Sequence, residues 1–210
     1  ADLGFEKFVN IKCRTSGLKP DAALLVCTVR ALKMHSGKFR IVPGKPLDEA
    51  LIREDLDSIT AGAGNLTKQI ENVRSMGVPV VVAINHFATD TQNEIDLVKR
   101  LALDAGAFDA AVSAVHAHGG RGGAEMAQAV IRAAEQPSEF RFLYPDELPI
   151  KEKIERIAVQ VYGAEGVEFL PEAVRSIDRF TDLGYAGMPV CMAKTHLSLS
   201  HDPLLKGRPK

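Results

Sequence analysis

Four short runs concentrate the side chains able to do chemistry. Residues 28–37 (TVRALKMHSG) set Arg30, Lys33 and His35 ahead of a glycine-bearing turn, a group suited to holding phosphate or carboxylate. Residues 85–91 (NHFATDT) crowd an amide, an imidazole, a phenyl ring and a carboxylate into one short segment, and the ring of Phe87 could stack on a heterocycle. Residues 116–123 (HAHGGRGG) hold four glycines in five positions, which lets a backbone approach a ligand closely. His116 and His118 stand at alternate positions with no third ligand specified, so no metal site is expected there. Residues 194–201 (KTHLSLSH) are dense in hydroxyls and imidazoles. The chain has no G-x-x-x-x-G-K-[ST] phosphate loop, no G-x-G-x-x-G after a strand and no G-x-S-x-G nucleophile turn.

These runs need a scaffold, and the apolar pattern supplies one. Residues 21–29, 78–84 and 188–193 are short, apolar, β-rich stretches bounded by Gly or Pro, the pattern of buried parallel strands. Weaker strand signals lie at 109–115, 140–144 and 167–169. Helical spacing recurs at Glu94, Ile95, Leu97, Val98, Leu101 and Ala102, and again at Ile150, Ile154, Ile157, Ala158 and Val161. Thr91 and Glu94 form a capping box, Gly163 suits a left-handed C-cap, and 171–184 places Pro first and Gly last. The alternation predicts an α/β fold, with a mainly parallel sheet and flanking helices. In such sheets ligands bind beyond the carboxyl ends of strands, where the four runs fall. Residues 36–47, with two Pro, two Gly and three basic residues, read as an exposed loop and boundary.

Composition bounds the function. The 210 residues are 46% hydrophobic and 25% charged, which excludes a disordered or disulfide-scaffold chain. With 26 basic and 27 acidic residues interspersed, no electrostatic footprint for nucleic acid or anionic lipid exists, so neither nucleic acid nor membrane is an expected partner. No apolar run reaches the roughly 18 residues of a membrane span. Cys13, Cys27 and Cys191 are too few and too dispersed for a disulfide framework, and point to buried thiols in a reducing, cytoplasmic setting. The opening ADLGFEKFVN and the closing SHDPLLKGRPK give the expectation of a piece cut from something longer.

Together and in order, ADLGFEKFVNIKCR at 1–14, VCTVRALKMHSG at 26–37, NLTKQIEN at 65–72, VPVVVAINHFATDT at 78–91 and CMAKTHLSLS at 191–200 resemble formate–tetrahydrofolate ligase. The resemblance spans essentially the whole chain. It implies part of a P-loop NTPase-like domain plus a second, smaller α/β domain: 1–63 as the end of the nucleotide-binding domain, 64–193 as the folate-binding domain, and 194–210 as the start of a further segment. It implies a chemistry in which ATP phosphorylates formate and N10 of tetrahydrofolate attacks the formyl phosphate. Most phosphate-handling residues of the family lie in an N-terminal part that carries the P-loop and is not in this sequence, so catalytic residues are not assigned. This portion would place the folate, and alone would not ligate.

By the same resemblance the pterin lies between Phe87 and the position of His116, where the family carries Trp, with Ala88 in place of a frequent Pro and Val112 as an apolar wall. Asp2, Leu3 and Gly4 fall where the adenine-side loop begins. Cys27 and Ser36 replace a usual Ala and Gly. The implied ligands are ATP with Mg2+, tetrahydrofolate and formate as substrates, and a monovalent cation; a homo-oligomer is implied as well. The competing reading is a non-catalytic ligand-binding or regulatory module that kept the scaffold without the P-loop.

Overall fold

A computed structural model describes residues 4–39, 48–193 and 199. Three strands, β1 (Ala23–Cys27), β2 (Val80–Asn85) and β3 (Asp109–Ser113), form a parallel sheet in sequence order. The pairing runs Ala23 opposite Val80 to Cys27 opposite Ile84, and Val81 opposite Asp109 to Asn85 opposite Ser113. All three strands therefore end at one edge.

The helices follow in chain order. Before the sheet come α1 (Gly4–Lys7), a π-turn at Phe8–Cys13 and α2 (Arg14–Ser16). The first crossover carries α3 (Val29–His35), α4 (Glu49–Ile52), α5 (Leu56–Gly62) and α6 (Gly64–Ser75), and the second carries α7 (Gln92–Asp104). After β3 come α8 (Val115–His118), a 3-10 turn at Gly119–Gly123, α9 (Ala124–Ala134), α10 (Ile150–Arg156) continued by a π-turn at Ile157–Tyr162, and α11 (Pro171–Asp182).

β2 explains why its sequence is apolar without alternation. Val80, Val82 and Ile84 pack into the main core with α3, α6 and α7, while Val81 faces Ala129 and Ala133 of α9 on the other side. Both faces are covered, so every position must be apolar. Each such side chain contributes about 1.5–3 kcal/mol by leaving water. β1 differs: Ala23, Leu25 and Cys27 pack against the core, but Leu24 and Val26 remain 43% and 61% exposed. The crossover that spans positions 63 and 64 lies inside the single unit joining β1 to β2.

The expected helix signals appear where the spacing placed them. Thr91 and Glu94 form a reciprocal capping box on α7, Gly163 ends the π-turn with φ 79°, and Pro171 opens α11. Three expected strands do not form. Residues 140–144, 167–169 and 188–193 are irregular, and in the first and last of these segments backbone groups are taken by partners other than a neighbouring strand. The Leu143 amide donates to Asn10 Oδ1 and the Arg141 amide to the Met76 carbonyl, while the Val190 amide donates to the Tyr144 hydroxyl. The buried ammonium of Lys153 takes the carbonyls of Ala186 and Met188 at 2.7 and 3.0 Å. Of the expected buried thiols, Cys13 is buried and Cys27 half-buried, but Cys191 is exposed. Residues 40–47 of the predicted loop, and 194–198 and 200–210, lie outside the described residues.

Candidate functional site

The common carboxyl edge of the sheet gathers the loops after β1, β2 and β3. Thr28 ends the first by accepting a hydrogen bond from the Ala31 amide at 3.0 Å, which starts α3 and puts Arg30 in its first turn. The second loop leaves β2 with one further ladder bond, the His86 amide donating to the Ser113 carbonyl at 3.0 Å. It then folds on itself: the Phe87 amide donates to Asp90 Oδ2 at 2.9 Å, and the Asp90 amide returns to the Phe87 carbonyl at 2.9 Å. Thr91 closes it by capping α7. Phe87 is held half-buried between these fixed points, and Ala88 beside it is exposed.

Arg30 crosses from the first loop to the second. Its Nη2 donates to Thr89 Oγ1 at 3.1 Å, and its guanidinium carbon lies 4.1 Å from the centroid of the Phe87 ring. Its Nε is buried without a hydrogen-bond partner. Lys33, one turn further along α3, is not available to a ligand. It is 1% exposed and its ammonium is shared among Glu94 Oε1 at 2.5 Å, the Arg53 carbonyl at 2.7 Å and the Leu51 carbonyl at 3.2 Å. The expectation that Arg30 and Lys33 act together on an anion is thus corrected by burial, since Lys33 is consumed in the core.

Glu94 is the residue that sequence reasoning undervalued. Beyond its capping role, Oε1 also accepts from the Asp55 amide at 3.0 Å and Oε2 from the Thr91 amide at 3.1 Å. One fully buried carboxylate thereby ties α3, the start of α5 and the end of the Phe87 loop together. The capping-box spacing signals the Thr91 contact, whereas the Lys33 and Asp55 contacts cross 61 and 39 positions and leave no local mark. Asp55 itself caps α5 through the Ser58 amide, and hydrogen bonds from Lys38, the Ser58 amide and the Ser58 hydroxyl pull its carboxyl down to about 2.

The third loop is shaped by its glycines in a way composition alone did not settle. The Ala114 amide donates to the Gly122 carbonyl at 2.9 Å, and a Cβ on Gly122 would lie 2.3 Å from the Ala114 carbonyl oxygen. The Gly-rich turn therefore folds back on the end of β3, and that glycine serves backbone contact. His116 and His118 are exposed on α8. Val112 is half-buried against the main core cluster. Gly4 begins α1 and is exposed, while Asp2 and Leu3 lie outside the described residues.

Burial pushes the Cys27 thiol up to about 12 and raises that of Cys13, so neither is a nucleophile at neutral pH. Among the described residues no group of three or more His, Cys, Asp or Glu is placed to hold a metal ion, and no helix is long and apolar enough to cross a membrane. A cleft of about 280 Å³ lined by Arg74, Phe108 and Arg141 lies at the opposite, amino-terminal edge of the sheet.

At this edge a guanidinium and an aromatic ring lie in contact across two loops. The chain matches the family model "Formate–tetrahydrofolate ligase" over residues 1–210. It is 54% identical over 209 residues to the formate–tetrahydrofolate ligase of Roseiflexus sp. (strain RS-1), and 54% identical over 210 residues to that of Desulforamulus reducens. Each alignment covers 100% of this chain and 37% of the relative. It is also 53% identical over 209 residues to human "C-1-tetrahydrofolate synthase, cytoplasmic", covering 22% of that protein. The chain thus spans little more than a third of the bacterial relatives it matches. Matched from its first residue to its last, it belongs to the formate–tetrahydrofolate ligase family.

Proposed function

We propose that this chain supplies the folate-holding edge of an ATP-dependent ligase that joins formate to N10 of tetrahydrofolate. The γ-phosphoryl group of ATP passes to a formate oxygen, giving ADP and formyl phosphate. N10 then attacks the formyl carbon, the C–O bond to phosphate breaks, and N10 gives up its proton. Phosphate-binding and catalytic groups are contributed from outside these residues, and Mg2+ enters with the ATP phosphates. What the present residues contribute is placement: a reactive nitrogen held in register with an acyl carbon removes much of the entropic barrier.

The observation that carries this reading is Phe87. Its ring is half-buried at the carboxyl edge of β2, and its backbone is pinned on both sides by Asp90. A rigid, partly exposed ring at that edge is what a flat heterocycle such as pterin needs. Ala88 and Val112 form its apolar surround and His116 takes the far side. Gly4, with Asp2 and Leu3, contributes to the adenine side. The three-stranded sheet is one part of a larger P-loop-type sheet, a reading supported by the exposed apolar residues Leu24 and Val26 on β1. The assembled enzyme is a cytoplasmic homo-oligomer that uses a monovalent cation.

Phe87→Ala in the complete ligase tests the assignment. Stacking of this kind is worth about 1–3 kcal/mol, so KM for tetrahydrofolate rises about tenfold or more while KM for ATP stays within twofold. An equal rise for both substrates would make Phe87 a structural residue and remove the reading.

A further inference from the structure

Arg30 stands out because its surroundings do not explain it as a stabilising charge. Among the described residues no carboxylate pairs with it; its contacts are a phenyl ring and one neutral hydroxyl. Its Nε–H is buried without an acceptor, a condition that costs stability and is seldom kept without a reason. Lys33 on the same helix shows the contrasting arrangement, with an ammonium surrounded by a carboxylate and two carbonyls.

The geometry supplies the reason. At 4.1 Å from centroid to Cζ, the guanidinium is in van der Waals contact with the Phe87 ring, and the bond to Thr89 Oγ1 ties it to the same loop two residues on. One face of the half-buried phenyl ring is closed by a cation. A cation on one face draws π density toward itself and makes the other face a better partner for an electron-rich ring.

We propose that Arg30 is a positioning residue of this site: its guanidinium, stacked on Phe87 and hydrogen-bonded to Thr89, backs one face of the ring and fixes the plane on which an electron-rich flat heterocycle is received on the other. The inference rests on the folate reading above. Planarity, not charge alone, is what the role requires, because a compact ammonium neither stacks over the ring nor reaches Thr89 at the same time. Thr89 is half of the device, since it stops the guanidinium from sliding off the ring.

Arg30→Lys and Arg30→Met, made beside Phe87→Ala in the complete ligase, test it. Both Arg30 variants are expected to raise KM for tetrahydrofolate about tenfold, the loss of one stacking-scale contact, with kcat and KM for ATP within twofold of the parent. Failure of Lys to rescue is part of the expectation. Full rescue by Lys, an unchanged or lowered KM for tetrahydrofolate, or a parallel rise in both KM values would overturn the assignment. The two readings separate cleanly. If Phe87→Ala leaves KM for tetrahydrofolate unmoved, the folate site itself is elsewhere; if Phe87→Ala raises it and the Arg30 variants do not, only the role of Arg30 is lost.

Discussion

Two regions of the molecule are held by buried lysines, and they are held for different ends. At the carboxyl edge, Lys33 pairs with Glu94, and the pair joins two helices and a loop around Phe87. In the carboxyl-terminal third, Lys153 has no carboxylate within ion-pair distance among the described residues, and its ammonium gathers the carbonyls of Ala186 and Met188 instead. Burial lowers the pKa of Lys153, because its charge is only partly repaid by carbonyl dipoles and the more distant Asp146. The first lysine fixes a regular scaffold under a site. The second substitutes for a sheet by satisfying an irregular chain.

The largest break in that comparison comes from the Glu94 carboxylate. Glu94→Ala strands Lys33 in the core and removes the acceptor of two amides, so unfolding free energy falls by about 3–5 kcal/mol, read as a shifted urea midpoint. A loss under about 1 kcal/mol would mean that Lys33 finds water and the clamp is not structural.

The irregular region yields less. Lys153→Met keeps the apolar stem but releases two carbonyls, a loss of about 2 kcal/mol. Its diagnostic is local: amide exchange accelerates in 185–190 while α7 and β2 stay protected. Uniform acceleration would show that Lys153 supports the whole fold and would erase the contrast between the regions.

The smallest effect is a pH dependence. Asp55 titrates at about 2 in the folded chain against roughly 3.9 unfolded. Because the folded value is the lower one, its stabilisation is present in full above the unfolded pKa and fades as pH falls from about 4 towards 2. Asp55→Asn flattens that part of the stability curve by a modest amount, since Lys38, the first of its partners, is 62% exposed and screened by solvent. An unchanged acid limb would mean that Lys38 does not hold the carboxyl in solution.

The same contrast explains what could be read from the residues. Helix grammar is local, so Thr91 with Glu94, Gly163 and Pro171 all marked real boundaries. β1, β2 and β3 were legible because each carries a short apolar run with a neighbouring strand to pair. The strand expected at 188–193 has the right composition, but Pro189 lacks a donor and the Val190 amide is taken by Tyr144, 46 positions away. At the site, Phe87 was visible as a ring in a strand-to-helix loop. The contact of Arg30 with that ring was not, because it depends on two loops converging across 57 positions. Lys33 looked like a second ligand-facing cation for the same reason: nothing local announces Glu94 as its partner.

The most direct measurement is a calorimetric titration of the protein with tetrahydrofolate under anaerobic reducing conditions, beside Phe87→Ala. Saturable binding that Phe87→Ala weakens about tenfold or more is the predicted result, matching the loss of one stacked ring. Equal binding by both proteins would contradict the account, because the folate ring would then rest somewhere other than the carboxyl edge of β2.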